Sequence, residues 1–271
     1  MCILYNEKSI AKTGEKKLDS QVAAKPEYGN WVPKRMIYLS GFVGFVFLGL
    51  ALVFWFLAVL AGLFFLVAAY FIYARRQFSL KGGKVQDRIW TLVLEKLDWN
   101  GEGKALDIGC GNAALTVKLA KKHPKSQVKG IDYWGKRWEY SKSLCERNAA
   151  IEGVSERVTF QKASAVSLPF DDGYFDAAVS NFVFHMVSGV KDKRELIREA
   201  LRVVKKDGKF ALQDEFLVRK IYGDPDDLIA AIKSWGINKV EFIRTYDEEF
   251  VPRALKLPLF LGTTAIIAGE K

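Results

Sequence analysis

The chain has only two histidines and three cysteines. Cys2, Cys110 and Cys145 fall into no paired or zinc-type spacing. That argues against a disulfide framework and a cysteine–histidine metal centre, and three unpaired thiols fit a reducing compartment. No internal repeat and no low-complexity tract occurs, which argues against repeat architectures. A nucleic-acid-binding motif is also missing, although the formal net charge is +10. The basic residues are dispersed, a distribution that suits an anionic membrane surface better than a nucleic acid.

The most informative absence is of charge. From Met36 to Tyr73 there is no Asp, Glu, Lys or Arg. As one straight helix that stretch would be about 57 Å long, against a hydrocarbon core of about 30 Å. Two helices with a turn near Val53–Trp55 fit better, so a transmembrane hairpin over 36–73 is expected, the alternatives being a hairpin that dips into one leaflet or one long tilted helix. A signal peptide is excluded, because the apolar run is too long, begins too late and lacks a small-residue cleavage site. Lys34 and Arg35 precede it, and Arg75, Arg76, Lys81 and Lys84 follow it. By the positive-inside rule both ends face the cytoplasm. Trp31 and Tyr38 are expected at the membrane boundary, where amphipathic aromatics collect.

What is present begins at Ala105-Leu-Asp-Ile-Gly-Cys-Gly-Asn-Ala-Ala-Leu115, answered by Gly130-Ile-Asp132. The pattern is a strand ending in an acid, a glycine turn, a helix start, then a second strand ending in an acid. A glycine turn at a helix N-terminus lets backbone N–H groups approach a ligand, and Asp132 is placed to accept from a ribose diol. Gly109-x-Gly111-x-x-Ala114 also satisfies the loose dinucleotide pattern. However, Asp107, two residues before Gly109, would repel a pyrophosphate there. An acid in that position suits a ligand with a cationic ammonium or sulfonium group. The balance favours S-adenosylmethionine over NAD.

Asp107-Ile-Gly-Cys-Gly-Asn-Ala113 resembles the first motif of class I S-adenosylmethionine-dependent methyltransferases, with Ala113 in place of the third glycine. Asp132 falls at their ribose-binding acid. Ala163–Asp176 resembles their third segment, and Leu196–Gly208 the helix and turn before strand five. The likeness runs from about Gln86 to the C-terminus and is nearest the ubiquinone/menaquinone-biosynthesis type. It implies that the loop Ser164–Ala165 lies at the adenine, with Ser164 where the family often has Asp.

The fold expected is α/β: a doubly wound, Rossmann-like seven-stranded sheet preceded by the transmembrane helical hairpin. Residues 1–35 form a polar N-terminal segment, 36–73 the hairpin, 74–85 a linker and 86–271 the methyltransferase domain. Alternating strands and helices point to a parallel sheet. Helices are expected near 136–152, 192–204 and 226–235. No long insertion follows strand five or six, so the linker and the helix at Asp87 are expected to cover the pocket.

The candidate cofactor-binding residues are Asp107, Gly109, Gly111, Asp132, Tyr133, Ser164, Ala165 and Asn181, with Tyr133 and Trp134 set against the adenine. His185, just beyond strand four on the ligand-binding edge, is the candidate general base. Asp214 and Glu215 end strand five and are candidates to orient a substrate. His123 is expected to cap its helix C-terminus as a cation, and Asp171-Asp-Gly173 to form a turn. No metal is expected. The activity expected is methyl transfer from S-adenosylmethionine to a small apolar or lipid acceptor, with the catalytic domain on the cytoplasmic side of a membrane. Its rivals are an NAD-type oxidoreductase on a similar sheet and a non-catalytic membrane adaptor with a degenerate cofactor fold.

Overall fold

The computed structural model describes residues 25–135, 140–237, 239–258 and 260–271. Most of the polar N-terminal segment and the expected helix start at 136–139 lie outside the described residues. Two apolar helices come first, α1 (Lys34–Leu50) and α2 (Leu57–Phe78), packed together and joined through residues 51–56. Then follow α3 (Val85–Lys96), β1 (Gly103–Ile108), α4 (Ala114–Lys122), β2 (Ser126–Asp132), α5 (Lys142–Ile151) and β3 (Val158–Lys162). The second half comprises β4 (Phe175–Asn181), α6 (Arg194–Arg202), β5 (Val204–Asp214), α7 (Arg219–Tyr222), α8 (Pro225–Ser234), β6 (Lys239–Arg244) and β7 (Ala265–Glu270).

The seven strands form one sheet in the order β3-β2-β1-β4-β5-β7-β6. The pairings among β1 to β5 are parallel, but β7 runs antiparallel to both β5 and β6. The all-parallel expectation is therefore corrected to a mixed, Rossmann-like sheet. Residues 245–264 join β6 to β7 through short 3-10 turns and, among the described residues, without the crossover helix that a parallel pair uses.

Alternation along the central strands divides the core in two. Ala105, Val128, Ala177 and Val179 face α3, α4 and α5, whereas Leu106, Ile108, Ala178 and Phe210 face α6 and α8. Helices thus cover both faces, and the carboxyl ends of β1, β2 and β4 stay open at one edge.

A third apolar cluster joins the hairpin to the sheet domain. Phe71, Ala74 and Phe78 of α2 pack with Val85 and Ile89 of α3 and with Val251, Leu255 and Leu261 from residues 245–264. The Tyr70 hydroxyl donates to the Ala254 carbonyl at 2.5 Å. The insertion after β6 is thus longer than expected, and it seats the foot of the hairpin. α2 continues through Arg75 and Arg76 to Phe78, leaving Ser79–Lys84 between it and α3. Trp31 is also corrected. Its ring lies against Phe78, Trp90 and Phe182, with centroids 5.6, 5.8 and 5.0 Å away, inside the fold and not at a boundary.

Candidate active site

β1 delivers Asp107 to the open edge of the sheet, and the chain then turns through three left-handed residues: Gly109 (φ 72°), Gly111 (φ 56°) and Ala113 (φ 67°). Gly109 has no alternative, since a Cβ there would sit 2.2 Å from a Val183 methyl. The turn is pinned from beneath. The N–H groups of Gly109 and Cys110 donate to the Ile131 carbonyl at 2.8 and 2.9 Å. The Gly111 N–H donates to Asp132 Oδ2 at 2.9 Å. Trp134 Nε1 donates to the Gly111 carbonyl at 3.0 Å, and Asn148 Nδ2 to the Asn112 carbonyl at 2.9 Å. The expectation of an N–H cradle is corrected accordingly. These three N–H groups are satisfied by β2, and the turn contributes shape to the site.

A cavity of about 750 Å³ opens over this turn. Asp107, Gly109, Gly111, Asp132, Tyr133, Ser164, Ala165, Asn181 and His185 all line it, so the candidate residues from four separate segments meet in one place. Tyr28 and Trp31 from the N-terminal segment and Trp90 of α3 complete its wall. The expected cover is therefore amended: the helix at Asp87 contributes Trp90, while residues 25–31 take the place assigned to the linker.

Asp107 is the most buried of these groups, 1 % exposed. Its Oδ2 accepts from Thr116 Oγ1 at 2.5 Å. Burial pushes the carboxyl up from 3.8 to about 7, with the nearby Asp132 charge adding to it and the Thr116 hydrogen bond opposing it. A carboxylate this deep is costly unless a cation pairs with it. Thr116 has no signature in the sequence; it is found only because α4 folds its first turn back over β1. Asp132 is raised too, chiefly by burial, although the Trp134 and Gly111 N–H groups lower it.

Among the described residues no Lys or Arg lines the cavity. Asp107 beside the glycine turn, in a space where the described residues place no cation, fits the sulfonium and ammonium of S-adenosylmethionine and would repel a pyrophosphate. Asn181 Oδ1 is buried without a partner among the described residues, an acceptor left open on the cavity wall. The residues present therefore fit that cofactor.

Three placements differ from expectation. Tyr133 lines the cavity at its rim, 65 % exposed with Lys162 Nζ 5.1 Å from its ring centre, whereas Trp134 is turned onto the glycine loop. The Ser164 hydroxyl accepts from the Val166 N–H at 3.2 Å, shaping its own loop. His123 is not a cationic cap. Burial lowers its pKa, and the ring sits 5.0 Å from Trp99. Asp171–Gly173 does form a turn, with Asp172 paired to Arg202 at 2.6 Å.

His185 acquires a partner that sequence reasoning did not pair with it. Its Nδ1 lies 2.5 Å from Oδ1 of Asp214, which is fully buried at the end of β5. Asp214 is itself held: Oδ2 accepts from the Val183 and Phe184 N–H groups at 3.1 and 2.7 Å, and Oδ1 from the Glu215 N–H at 2.7 Å. Its expected role toward a substrate is thus corrected to one toward His185. An ionised carboxylate only accepts, so His185 carries its proton on Nδ1 and presents Nε2 as the free nitrogen. Burial alone would lower the imidazole pKa, but the hydrogen bond and charge of Asp214 raise it above 6.5.

Residues 106–212 match the family model described as a methyltransferase domain. The chain is 31% identical over 128 residues to the ubiquinone/menaquinone biosynthesis C-methyltransferase UbiE of Citrifermentans bemidjiense, 46% of this chain and 52% of the relative. It is 31% identical over 148 residues to the methyltransferase GfsG of Streptomyces halstedii, 54% of this chain and 48% of the relative. The chain thus spans about half the length of the curated relatives it matches. Among solved structures, the geranyl diphosphate C-methyltransferase of Streptomyces coelicolor superposes with a TM-score of 0.53 at 13% identity, over 68% of this chain and 79% of that one. The [4+2]-cyclase SpnF superposes with a TM-score of 0.52 at 21% identity, over 68% and 81%. At such identities the structural likeness speaks to the fold alone. Together these likenesses support a class I methyltransferase domain, with S-adenosylmethionine as its cofactor.

Proposed function

We propose that the chain is a membrane-anchored methyltransferase that acts on a small apolar or lipid acceptor, with its catalytic domain on the cytoplasmic side. The observation that carries the catalytic part is the shared cavity. Asp107, Asp132 and the free edge of His185 line one space in which, among the described residues, there is no Lys or Arg. Bound S-adenosylmethionine supplies an electrophilic methyl group on a sulfonium. Asp107 at the cavity floor supplies the charge that holds a cationic ammonium, and Asp132 accepts from the ribose hydroxyls. His185 Nε2 takes a proton from the acceptor, while Asp214 keeps the opposite nitrogen protonated and the ring oriented. The aromatic wall excludes water from the reacting pair. An oxidoreductase is disfavoured by Asp107 just before the glycine turn, and a degenerate adaptor by the intact cavity.

The apolar acceptor follows from the cavity's neighbours. Phe78, Trp31, Phe182 and His185 form a chain of ring contacts with centroids 5.6, 5.0 and 6.3 Å apart. That row leads from the foot of the hairpin to the candidate base. Nearly all the large exposed apolar side chains lie in the hairpin, with Leu52 at 90 % and Trp55 at 80 % exposure. Such a surface calls for an apolar partner. By length and composition only, α2 is able to cross a membrane, with a mean hydropathy of 2.4. α1, at 17 residues, is about 26 Å long and slightly short for the core.

Membranes carrying the full chain, incubated with methyl-labelled donor and extracted into lipid and aqueous fractions, test this reading. Label is expected in the lipid fraction and absent with Asp132→Ala. Label confined to the aqueous fraction would overturn the acceptor class, and no transfer in either fraction despite donor binding would overturn the activity.

A further inference from the structure

A second cavity, of about 1080 Å³, lies at the foot of the hairpin. Lys34 and Arg35 at the start of α1, Arg75 and Arg76 at the end of α2, and Lys81 beyond it line this space. Among the described residues no carboxylate pairs with any of these five cations. Among the described residues the one acid in the wall is Glu27, which is already paired with Arg147 at 2.8 Å. Arg75 also donates to the Val32 carbonyl, which ties the segment before α1 to the end of α2. Five converging cations repel one another, and the fold tolerates them where an anion joins them.

The apolar side of the same space identifies that anion. Ile37 and Ile72 carry the wall up the two helices of the hairpin, whose outer surface is bare apolar side chain. A ligand seated here has a phosphate among the cations and hydrocarbon along α1 and α2. We propose that this cavity seats the headgroup phosphate of an anionic phospholipid. A guanidinium offers a forked set of donors to phosphate oxygens, and two arginines with lysines on either side match a diester. Tyr28, Asn112 and Tyr140 line both this cavity and the donor pocket, so a seated headgroup bears on the wall of the active site. The assignment rests on the membrane reading of the hairpin.

The test uses the full chain in neutral detergent, titrated with dihexanoyl phosphatidylglycerol and, separately, with inorganic phosphate, with binding followed by calorimetry. The lipid should bind saturably, one molecule per chain, and inorganic phosphate about tenfold more weakly. The variant Arg35→Gln/Arg76→Gln/Lys81→Gln, which spares the structural Arg75, should weaken the lipid about tenfold or more. A control removing three exposed lysines elsewhere, Lys191→Gln/Lys220→Gln/Lys233→Gln, should bind like the parent. Non-saturating binding, or equal loss in both triple variants, would overturn the site in favour of diffuse surface charge. Equal affinity for inorganic phosphate would overturn the lipid assignment in favour of a soluble phosphate compound. Flotation of the same preparation with neutral vesicles judges the membrane reading separately. If the parent fails to float yet binds the short-chain lipid as described, the hairpin reading falls and the headgroup site stands.

Discussion

His185 and Asp214 stand 29 positions apart in the chain and 2.5 Å apart in the fold. If Nε2 accepts a proton during turnover, His185→Ala should lower the turnover number by about 10²–10⁴-fold and leave donor affinity nearly intact. Because Asp214 raises the imidazole pKa above 6.5, turnover should climb with pH through an ionisation above that value. Asp214→Asn should shift that ionisation downward. A pH–rate profile flat between pH 6 and 9 would refute the base. Asp107 gives a second pH signature, of opposite origin. Its carboxyl is raised to about 7 by burial, so the folded chain holds a proton that the unfolded chain has already released. Stability of the ligand-free chain should then decline as pH rises from about 4 to about 7. A cationic donor binds the ionised form, so its affinity should weaken by up to about tenfold per pH unit below 7. Asp107→Asn should abolish both slopes, which thermal melts and calorimetry would read. Ala113 sits at φ 67°, in place of the third glycine of the methyltransferase motif it resembles. Ala113→Gly should raise stability by about 1 kcal/mol by relieving that strain; a lower melting temperature would show that the Ala113 methyl packs more favourably than the strain costs.

At the scale of elements, the segment 25–33 is a structural part of the pocket. Glu27 backbone groups exchange hydrogen bonds with the Asn148 side chain at 2.9 and 3.0 Å, and Trp31 wedges between α2, α3 and the turn after β4. Trp31→Ala would separate Phe78, Trp90 and Phe182, at a cost of about 3 kcal/mol in stability. It should also raise the acceptor's half-saturation several-fold, with donor affinity unchanged. An unchanged half-saturation would remove the aromatic row from the acceptor's path. Residues 245–264 act in the same way for the hairpin, clamping Phe71, Ala74 and Phe78 against α3. The hairpin foot and the sheet domain therefore share one apolar cluster.

For the whole molecule the question is where the hairpin lies. If both feet face the cytoplasm, Lys34→Cys and Lys81→Cys, on a Cys2→Ser background, should resist an impermeant thiol reagent in intact cells. Leu52→Cys at the tip should react if the hairpin crosses the bilayer and stay silent if it remains within one leaflet. Labelling at position 34 or 81 would sink the cytoplasmic placement.

Much of this was legible in the chain, and the reasons are local. Charge is either present or absent along a stretch, so the apolar run stands out without any fold. A strand ending in Asp107, glycines at 109 and 111, and a second strand ending in Asp132 share one period and one spacing, and backbone sterics leave few other ways to connect them. The donor pocket was readable for that reason. Other features depend on residues distant in sequence. Thr116 over Asp107, Asp214 behind His185, Trp31 between three elements and the five cations closing on one cavity each arise from packing. The antiparallel return of β7 was illegible as well, because strand residues carry the same alternation in either direction. Local periodicity determined which elements form and which ligand charge the turn would meet. Only the tertiary structure decided that the glycine-turn N–H groups are already bonded, that His185 has an acid behind it, and that the hairpin and the pocket share a wall, because burial and pairing are properties of residues brought together from far apart.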